Sequence, residues 1–307
     1  MDDAAATSNR AATQGRAATQ GRAATQGRAG PQSWGELYRA ASARLGSAQE
    51  ARWLVEEASG ARWPACAAEL APPRPARHLE GMLDRRAGGE PIQYVLGSWG
   101  FRTLELMVDS RVLIPRPETE VLVEVALRLL GAWEAPLAAD LGTGSGAIAL
   151  ALVAEHPGVQ VWGTDVSGDA LDVARSNAAG LAGRSAARVR LVEGSWWEAL
   201  PEELAGGLDL VVSNPPYLSR AELLGADKTV RDWEPAAALC PGPTGTEALT
   251  EVVAGAAPWL APTGALVVEL SPPQAPAMAA LARDSGFASV EVLADLAGRD
   301  RVLVARR

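Results

Sequence analysis

The sequence predicts an α/β protein with a mostly parallel, doubly wound sheet preceded by a small helical bundle. Three observations carry this. From residue 117 onward, apolar runs of strand length alternate with helical stretches. Three glycines, Gly142, Gly144 and Gly146, stand between one such run and a helix. Ahead of residue 90 the apolar residues recur at helical spacing instead.

Length and composition bound the function. The 307 residues correspond to about two domains at ~150 residues each. With 28 Lys and Arg against 37 Asp and Glu, the net charge is −9, which argues against a protein that coats nucleic acid through its phosphates. No apolar run reaches the ~18 residues of a membrane span, so a soluble cytoplasmic protein is the expectation. Cys66, Cys240, His78 and His156 are the only residues of their kinds, and their spacing fits no disulfide framework, zinc ribbon or other metal site.

Residues 1–32 stand apart. Arg-Ala-Ala-Thr-Gln-Gly occurs three times, from Arg10, Arg16 and Arg22, without large apolar side chains, and reads as a disordered tail. Residues 33–89 form the helical unit. Ser33 and Glu36 make a capping box ahead of Leu37, Tyr38 and Leu45. Ser47 and Glu50 repeat it ahead of Trp53, Leu54, Val55 and Ala58, with Gly60 as the stop. After a proline-rich break at residues 71–75, a third helix carries Leu79, Met82, Leu83 and Arg86 and ends at Gly88-Gly89. The unit has no catalytic cluster and reads as a packing or docking module.

Residues 90–116 join the two parts. The alternation of Leu104, Leu106 and Val108 predicts a hairpin. In residues 117–307 the strand candidates are 137–141, 159–165, 189–192, 208–213, 265–270, 289–293 and 301–305. The last two lack an intervening helix and are expected to run antiparallel at one edge.

Two segments carry chemistry. The first, Asp140-Leu141-Gly142-Thr143-Gly144-Ser145-Gly146, links a strand to the helix over residues 147–155. Its glycines permit a tight turn and close approach of a ligand, and the helix start offers free N–H groups. It is neither the dinucleotide fingerprint nor a P-loop, since no Lys-Ser/Thr follows. Asp140 is placed to accept from a ligand ammonium group. Asp165, at the end of the next strand, is placed to accept from both ribose hydroxyls of a nucleoside. The pair fits S-adenosyl-L-methionine better than a dinucleotide. The second segment, Asn214-Pro215-Pro216-Tyr217, follows the apolar run at 208–213. The prolines fix their own φ and hold the preceding residues extended. That aims the Asn214 side-chain oxygen and the Pro215 carbonyl into one space, where two acceptors suit a substrate –NH₂, and Tyr217 can lie over a planar amide or base.

The chain resembles the release factor glutamine methyltransferases over residues 33–307. The blocks that carry this are Gly89-Glu90-Pro91-Ile92-Gln93-Tyr94-Val95-Leu96-Gly97, Leu113-Ile114-Pro115-Arg116-Pro117-Glu118-Thr119-Glu120, the glycine loop, Ser213 through Tyr217, Glu234-Pro235 with Ala238-Leu239, and Asp295-Leu296-Ala297-Gly298-Arg299-Asp300-Arg301. The resemblance implies a Rossmann-like class I methyltransferase domain with a seven-stranded sheet. It implies that S-adenosyl-L-methionine, released as S-adenosyl-L-homocysteine, contacts Asp140, Gly142, Thr143, Gly144, Ser145, Gly146, Asp165, Trp196 and Asn214. Trp196 would hold adenine, a role open to Trp197 as well. Asn214, Pro215, Pro216 and Tyr217 would hold the substrate, the glutamine of the Gly-Gly-Gln loop in bacterial class I peptide chain release factors, with Asn214, Pro215 and Tyr217 as the catalytic group. The helical unit would dock the factor. Arg116 and Glu118 either close over the site or form an ion pair at the hinge, and Asp232-Trp233-Glu234-Pro235 is expected beside the site. Ser195 stands where the family carries an acidic residue, and Pro241-Gly242-Pro243-Thr244-Gly245 departs from its usual turn. Asn-Pro-Pro-Tyr is also shared with adenine amino-methyltransferases of DNA or RNA, the alternative reading, against which the acidic charge weighs.

Overall fold

The structure, a computed structural model, describes residue 30 and residues 32–307 apart from 132, 182 and 184. The repeat tail therefore lies outside the described residues. The helical unit opens with α1 (Trp34–Leu45), whose Ser33 and Glu36 cap each other reciprocally, and Gly46 ends it in the left-handed conformation. α2 (Ala48–Ser59) is capped by Ser47 and ended by Gly60 in the same way. α3 (Pro73–Ala87) starts inside the expected proline-rich break. Its prolines occupy the first turn, where no backbone donor is required, so the break shrinks to residues 71–72. Trp34, Leu37, Leu54, Val55, Leu79, Met82 and Leu83 form the core of this unit.

The joining segment holds more than the expected hairpin. A short helix, α4 (Ile92–Leu96), precedes it. Ile92 and Val95 bury into the helical core, so that core runs past residue 89. The hairpin itself is β1 (Ser98–Phe101) paired antiparallel with β2 (Leu104–Met107). Arg102, at its turn, is clamped between the carboxylates of Glu120 and Glu155, the latter through two N–H groups at 2.6 and 2.7 Å.

The second unit runs α5 (Pro117–Leu130), β3 (Leu137–Leu141), α6 (Ala147–Glu155), β4 (Gln160–Asp165), α7 (Gly168–Ala179), β5 (Val189–Glu193), β6 (Leu208–Ser213), α8 (Arg220–Gly225), α9 (Lys228–Arg231), α10 (Glu247–Gly255), β7 (Leu260–Glu269), α11 (Ala275–Asp284), β8 (Ser289–Ala294) and β9 (Asp300–Arg306). Seven strands form one sheet in the order β5-β4-β3-β6-β7-β9-β8. β9 lies antiparallel between β7 and β8, and the other neighbours pair in parallel. Alternate residues of each strand face opposite layers. Leu210, Val212 and Val267 meet α5 and α6, while Val211, Leu266 and Val268 meet α10 and α11. α6 is buried from residue 147 to 153, which explains its apolar composition on every side.

This topology places the site. The chain leaves β3 toward β4 on one side and reaches β6 on the other, so the strand order reverses between β3 and β6. Ligands of open α/β sheets bind in the crevice beyond the carboxyl ends at such a reversal. The glycine loop, Asp165 and Asn214 all leave the sheet there.

Candidate active site

Three glycines turn the chain from β3 into α6, with φ of 73° at Gly142, 56° at Gly144 and 82° at Gly146. Two of these positions are also closed to a side chain by their neighbours. A Cβ on Gly142 would stand 3.2 Å from the Trp196 ring, and one on Gly146 would press on Leu150 and Ala174 at 3.1 and 3.3 Å. The amides of Gly142 and Thr143 donate to the Thr164 carbonyl at 2.9 and 2.8 Å, which ties the loop to β4.

The loop and its neighbours enclose a cavity of about 220 Å³. Gly142, Gly144, Asp165, Gly194, Trp196 and Asn214 line it. Residues 111–113 from the hairpin exit and residues 235 and 237–238 line it too. Asp165 is held rigidly: one carboxylate oxygen accepts from Gly144 N at 2.8 Å and the other from Ser167 N at 2.9 Å. Burial pushes its carboxyl above the usual carboxylate range, against those two hydrogen bonds.

Other loop residues are placed differently from expectation. Asp140 is fully buried behind the loop. Its Oδ2 accepts from Thr143 Oγ1 at 2.6 Å and Ala149 N at 3.1 Å, and its Oδ1 has no partner. Burial pushes the Asp140 carboxyl up to about 7. Its geometry braces the loop, and it does not line the cavity. Thr143, Ser145 and Gly146 also lie off the cavity lining. The Thr143 hydroxyl belongs to Asp140, the Ser145 carbonyl accepts from Asn177 Nδ2 at 2.9 Å, and Gly146 caps α6.

The two tryptophans separate cleanly. Trp196 lines the cavity. Trp197 turns away, donating its indole N–H to the Glu251 carbonyl at 3.1 Å and stacking on Trp259 at 6.0 Å between centroids. Ser195 also lines the cavity.

A smaller cavity of about 130 Å³ adjoins the first and is lined by Arg116, Asn214, Pro215, Pro216, Tyr217 and Leu218 among others. Asn214 and Pro216 line both, so Asn214 stands at the seam. Asn214 Nδ2 donates to Thr119 Oγ1 at 3.1 Å, which leaves Oδ1 as its acceptor. Thr119 Oγ1 donates to Glu269 Oε2 at 2.7 Å, and the Tyr217 hydroxyl donates to Glu269 Oε1 at 3.1 Å. Burial and the Glu269 charge raise the Tyr217 phenol above its ordinary range, so it stays protonated. Gln274 Nε2 donates to the carbonyls of Tyr217 and Gly245 at 2.9 and 3.0 Å. The divergent turn at 241–245 is thereby clasped to the back of the Asn-Pro-Pro-Tyr segment.

Arg116 lines the smaller cavity and also pairs with Glu234, whose side chain is almost wholly buried. Glu234 accepts from Ile114 N at 3.2 Å as well, which fastens the Asp-Trp-Glu-Pro loop over the site. Glu118 lines neither cavity and pairs with Arg299 at 3.3 Å. Sequence reasoning assigned no role to Thr119, Glu269 or Gln274. Thr119 lay inside a block used only for resemblance. Glu269 carried one positional signal, a carboxylate at the carboxyl end of an apolar strand.

Residues 36–97 match the PrmC N-terminal domain and residues 119–228 match the methyltransferase small domain. The chain is 44% identical over 228 residues to the release factor glutamine methyltransferase of Xylella fastidiosa strain 9a5c, covering 74% of this chain and 80% of that one. It is 41% identical over 282 residues to that of Deinococcus radiodurans, covering 89% and 98%. The chain belongs to the release factor glutamine methyltransferase family. Among solved structures, the hMettl16 catalytic domain in complex with the MAT2A 3'UTR hairpin 6 covers 76% of this chain and 80% of its own at 14% identity and TM-score 0.51, a likeness of fold alone. Membership in the release factor glutamine methyltransferase family makes the chain an enzyme of methyl transfer. Among the described residues, no helix is long and apolar enough to cross a membrane.

Proposed function

We propose that this protein transfers a methyl group from S-adenosyl-L-methionine to the side-chain amide nitrogen (N5) of the glutamine in the Gly-Gly-Gln motif of bacterial class I peptide chain release factors. The observation that carries the reading is the pair of cavities meeting at Asn214, one suited to a nucleoside and the other to a small amide. The residues fit the cofactor. Gly142 and Gly144 leave the cavity floor bare of side chains, Asp165 presents a fixed carboxylate, and Trp196 offers an aromatic face. Asp165 would hold the ribose hydroxyls and Trp196 the adenine. Bound there, the cofactor supplies an electrophilic methyl group on a sulfonium sulfur.

The chain's own part is positioning. An amide nitrogen is a weak nucleophile because its lone pair is delocalised into the carbonyl. Asn214 Oδ1 and the Pro215 carbonyl accept its two N–H groups and hold the nitrogen at the seam between the cavities. Those bonds strengthen as positive charge develops on nitrogen, which is how fixed dipoles accelerate a reaction. Tyr217 packs beside the amide plane. The methylated nitrogen is strongly acidic and gives its proton to water, so no strong base is required. The helical unit at residues 33–89, with the joining segment at 90–116, would dock the factor outside the smaller cavity. Release factors act on ribosomes, so the proposed place of action is the cytoplasm.

The test is mass spectrometry of a co-expressed class I release factor with and without this protein. The mass of one CH₂ group gained on the Gly-Gly-Gln peptide is the expected result. An unmodified factor, with cofactor binding intact by calorimetry, overturns the substrate, and methyl transfer to adenine in nucleic acid would then replace it.

A further inference from the structure

An asparagine amide can sit in either of two orientations that exchange its oxygen and its NH₂. Only one of them presents an acceptor to a substrate N–H, and the prolines after Asn214 do not choose between them. The hydrogen bonds behind Asn214 do. A threonine hydroxyl has one proton to donate. Thr119 Oγ1 stands between two partners, Glu269 Oε2 at 2.7 Å and Asn214 Nδ2 at 3.1 Å. An ionised carboxylate accepts only, so it takes the proton, and the Thr119 oxygen can then only accept. The flipped Asn214 would set oxygen against oxygen with no proton between them. Thr119 and Glu269 are 4% and 1% exposed, so water is not at hand to relieve that conflict.

We propose that Glu269 is a positioning residue that sets the hydrogen-bond polarity of the smaller cavity, acting through Thr119 to hold Asn214 with its oxygen toward the substrate nitrogen. The same carboxylate accepts from the Tyr217 hydroxyl at 3.1 Å, so the Tyr217 O–H, like the Asn214 N–H on Thr119, points away from the substrate. The cavity thereby favours a nitrogen that carries two N–H groups over a carboxylate or carbonyl oxygen of the same shape. A glutamine side chain is accepted and a glutamate is refused. The inference rests on the methyl-transfer reading given above.

The charge on Glu269 is itself balanced. Arg301 from β9 favours the ionised form, and its guanidinium also donates to the Leu270 carbonyl at 3.2 Å. Thr119 from α5 and Tyr217 from the β6 exit donate to the carboxylate, while burial and Glu118 of α5 oppose ionisation. The Arg116 charge favours ionisation of Tyr217, against burial and Glu269, and Asp295 lies 3.7 Å from Arg301. Burial dominates and raises Glu269 above the ordinary glutamate range. A protonated Glu269 can donate to Thr119 and release the polarity, so turnover falls as pH drops through that raised value.

The experiment uses the full chain, an intact class I release factor and labelled cofactor. Glu269→Gln and Thr119→Val are expected to lower kcat by about 10²-fold, the scale of losing one fixed dipole at a reacting centre. Cofactor affinity by calorimetry stays within about twofold in both, since neither residue lines the larger cavity. Thr119→Ser keeps the hydroxyl and keeps kcat within about threefold. The double variant is no worse than either single, because the residues act in series. The acid limb of the kcat profile disappears in Glu269→Gln and persists in Thr119→Ser. A purely structural role predicts instead a loss of melting temperature that tracks the loss of kcat, with Ser no better than Val. That outcome, or unchanged kcat in Glu269→Gln, overturns the proposal. A wild-type chain that leaves the factor unmodified defeats the substrate reading, and the polarity is then read directly. In ¹⁵N-labelled protein the Asn214 side-chain NH₂ resonances shift in Glu269→Gln and Thr119→Val but not in Thr119→Ser. Unchanged resonances overturn it.

Discussion

The two halves of the site are built by opposite means. The larger cavity is made of backbone. Two loop glycines, Gly142 and Gly144, a strand end and one aspartate fixed by two amide N–H groups supply its floor, and these lie within one β-α-β unit. The smaller cavity depends on side chains brought together from distant segments: Arg116 at the start of α5 and Asn214 and Tyr217 after β6 line it, and Thr119 of α5, Glu234 in a loop and Glu269 at the end of β7 hold them from behind. A backbone site binds whatever the glycines admit and tolerates change at its margins. A side-chain relay depends on every member. The two halves should therefore fail differently.

The largest effect belongs at the seam. Asn214→Ala removes the oxygen that faces the substrate nitrogen, and we expect kcat to fall by about 10²–10³-fold. Cofactor affinity, measured by calorimetry, should change only a few-fold, because the glycine loop, Asp165 and Trp196 remain. Equal losses in both quantities would merge the halves and break the comparison.

Next comes a pair of adjacent tryptophans with opposite duties. Trp196→Ala should weaken the cofactor about tenfold, the scale of an aromatic stacking contact, with kcat at saturation little changed. Trp197→Ala should leave cofactor affinity within about twofold and lower the melting temperature by several degrees, since it removes the hydrogen bond to Glu251 and the stack on Trp259. Thermal melts beside calorimetry decide the case, and a reversed pattern would exchange the roles.

A smaller effect tests how the loop is fastened over the side-chain half. Arg116→Ala leaves the buried Glu234 carboxylate with the Ile114 amide as its remaining hydrogen-bond partner. Arg116 is 30% exposed, so the cost is about 1–3 kcal/mol, short of that of a fully buried pair. We expect a lower melting temperature and a several-fold higher KM for the release factor, with cofactor affinity unchanged. A rise in cofactor Kd of the same size would place Arg116 on the other half.

The same contrast explains what could be read from the sequence. Strand–helix alternation and the glycine spacing are local signals, and they located the sheet and the larger cavity. The periodicity of α1, α2 and α3 was equally local. α4 was missed because five residues, Ile92 to Leu96, are too few to display a helical period against the alternation that follows. Thr119 and Glu269 were silent because neither is unusual within its own segment; 150 residues separate them, and only the sheet order makes them neighbours. Asp140 was legible as a member of the glycine loop but not in direction. Near the end of a mostly buried strand its side chain faces the helix layer, where Thr143 and Ala149 receive it. Trp196 and Trp197 could not be told apart, because the turn after β5 decides which ring faces inward, and that turn gives Trp196 a φ of 39°.

Asp140 offers the subtlest test, since it serves the backbone half from behind the cavity lining. Its carboxyl is pushed up to about 7 by burial, from an ordinary value of 3.8. The folded chain thus binds a proton that the unfolded chain has already released between those values. Stability contributed by this group is present at pH 4, declines as pH rises toward 7, and is lost above it. The loop amides would follow, because the ionised carboxylate leaves Oδ1 buried without a partner. We expect the wild-type melting temperature to lose more between pH 5.5 and 8 than that of Asp140→Asn, which keeps an acceptor for Thr143 and Ala149 but cannot ionise. The comparison rests on the slope and not on the absolute value, because the asparagine buries an unpaired NH₂ at every pH. Parallel slopes would mean that Asp140 stays ionised throughout, and that a donor reaches Oδ1 from the ligand side of the loop after all.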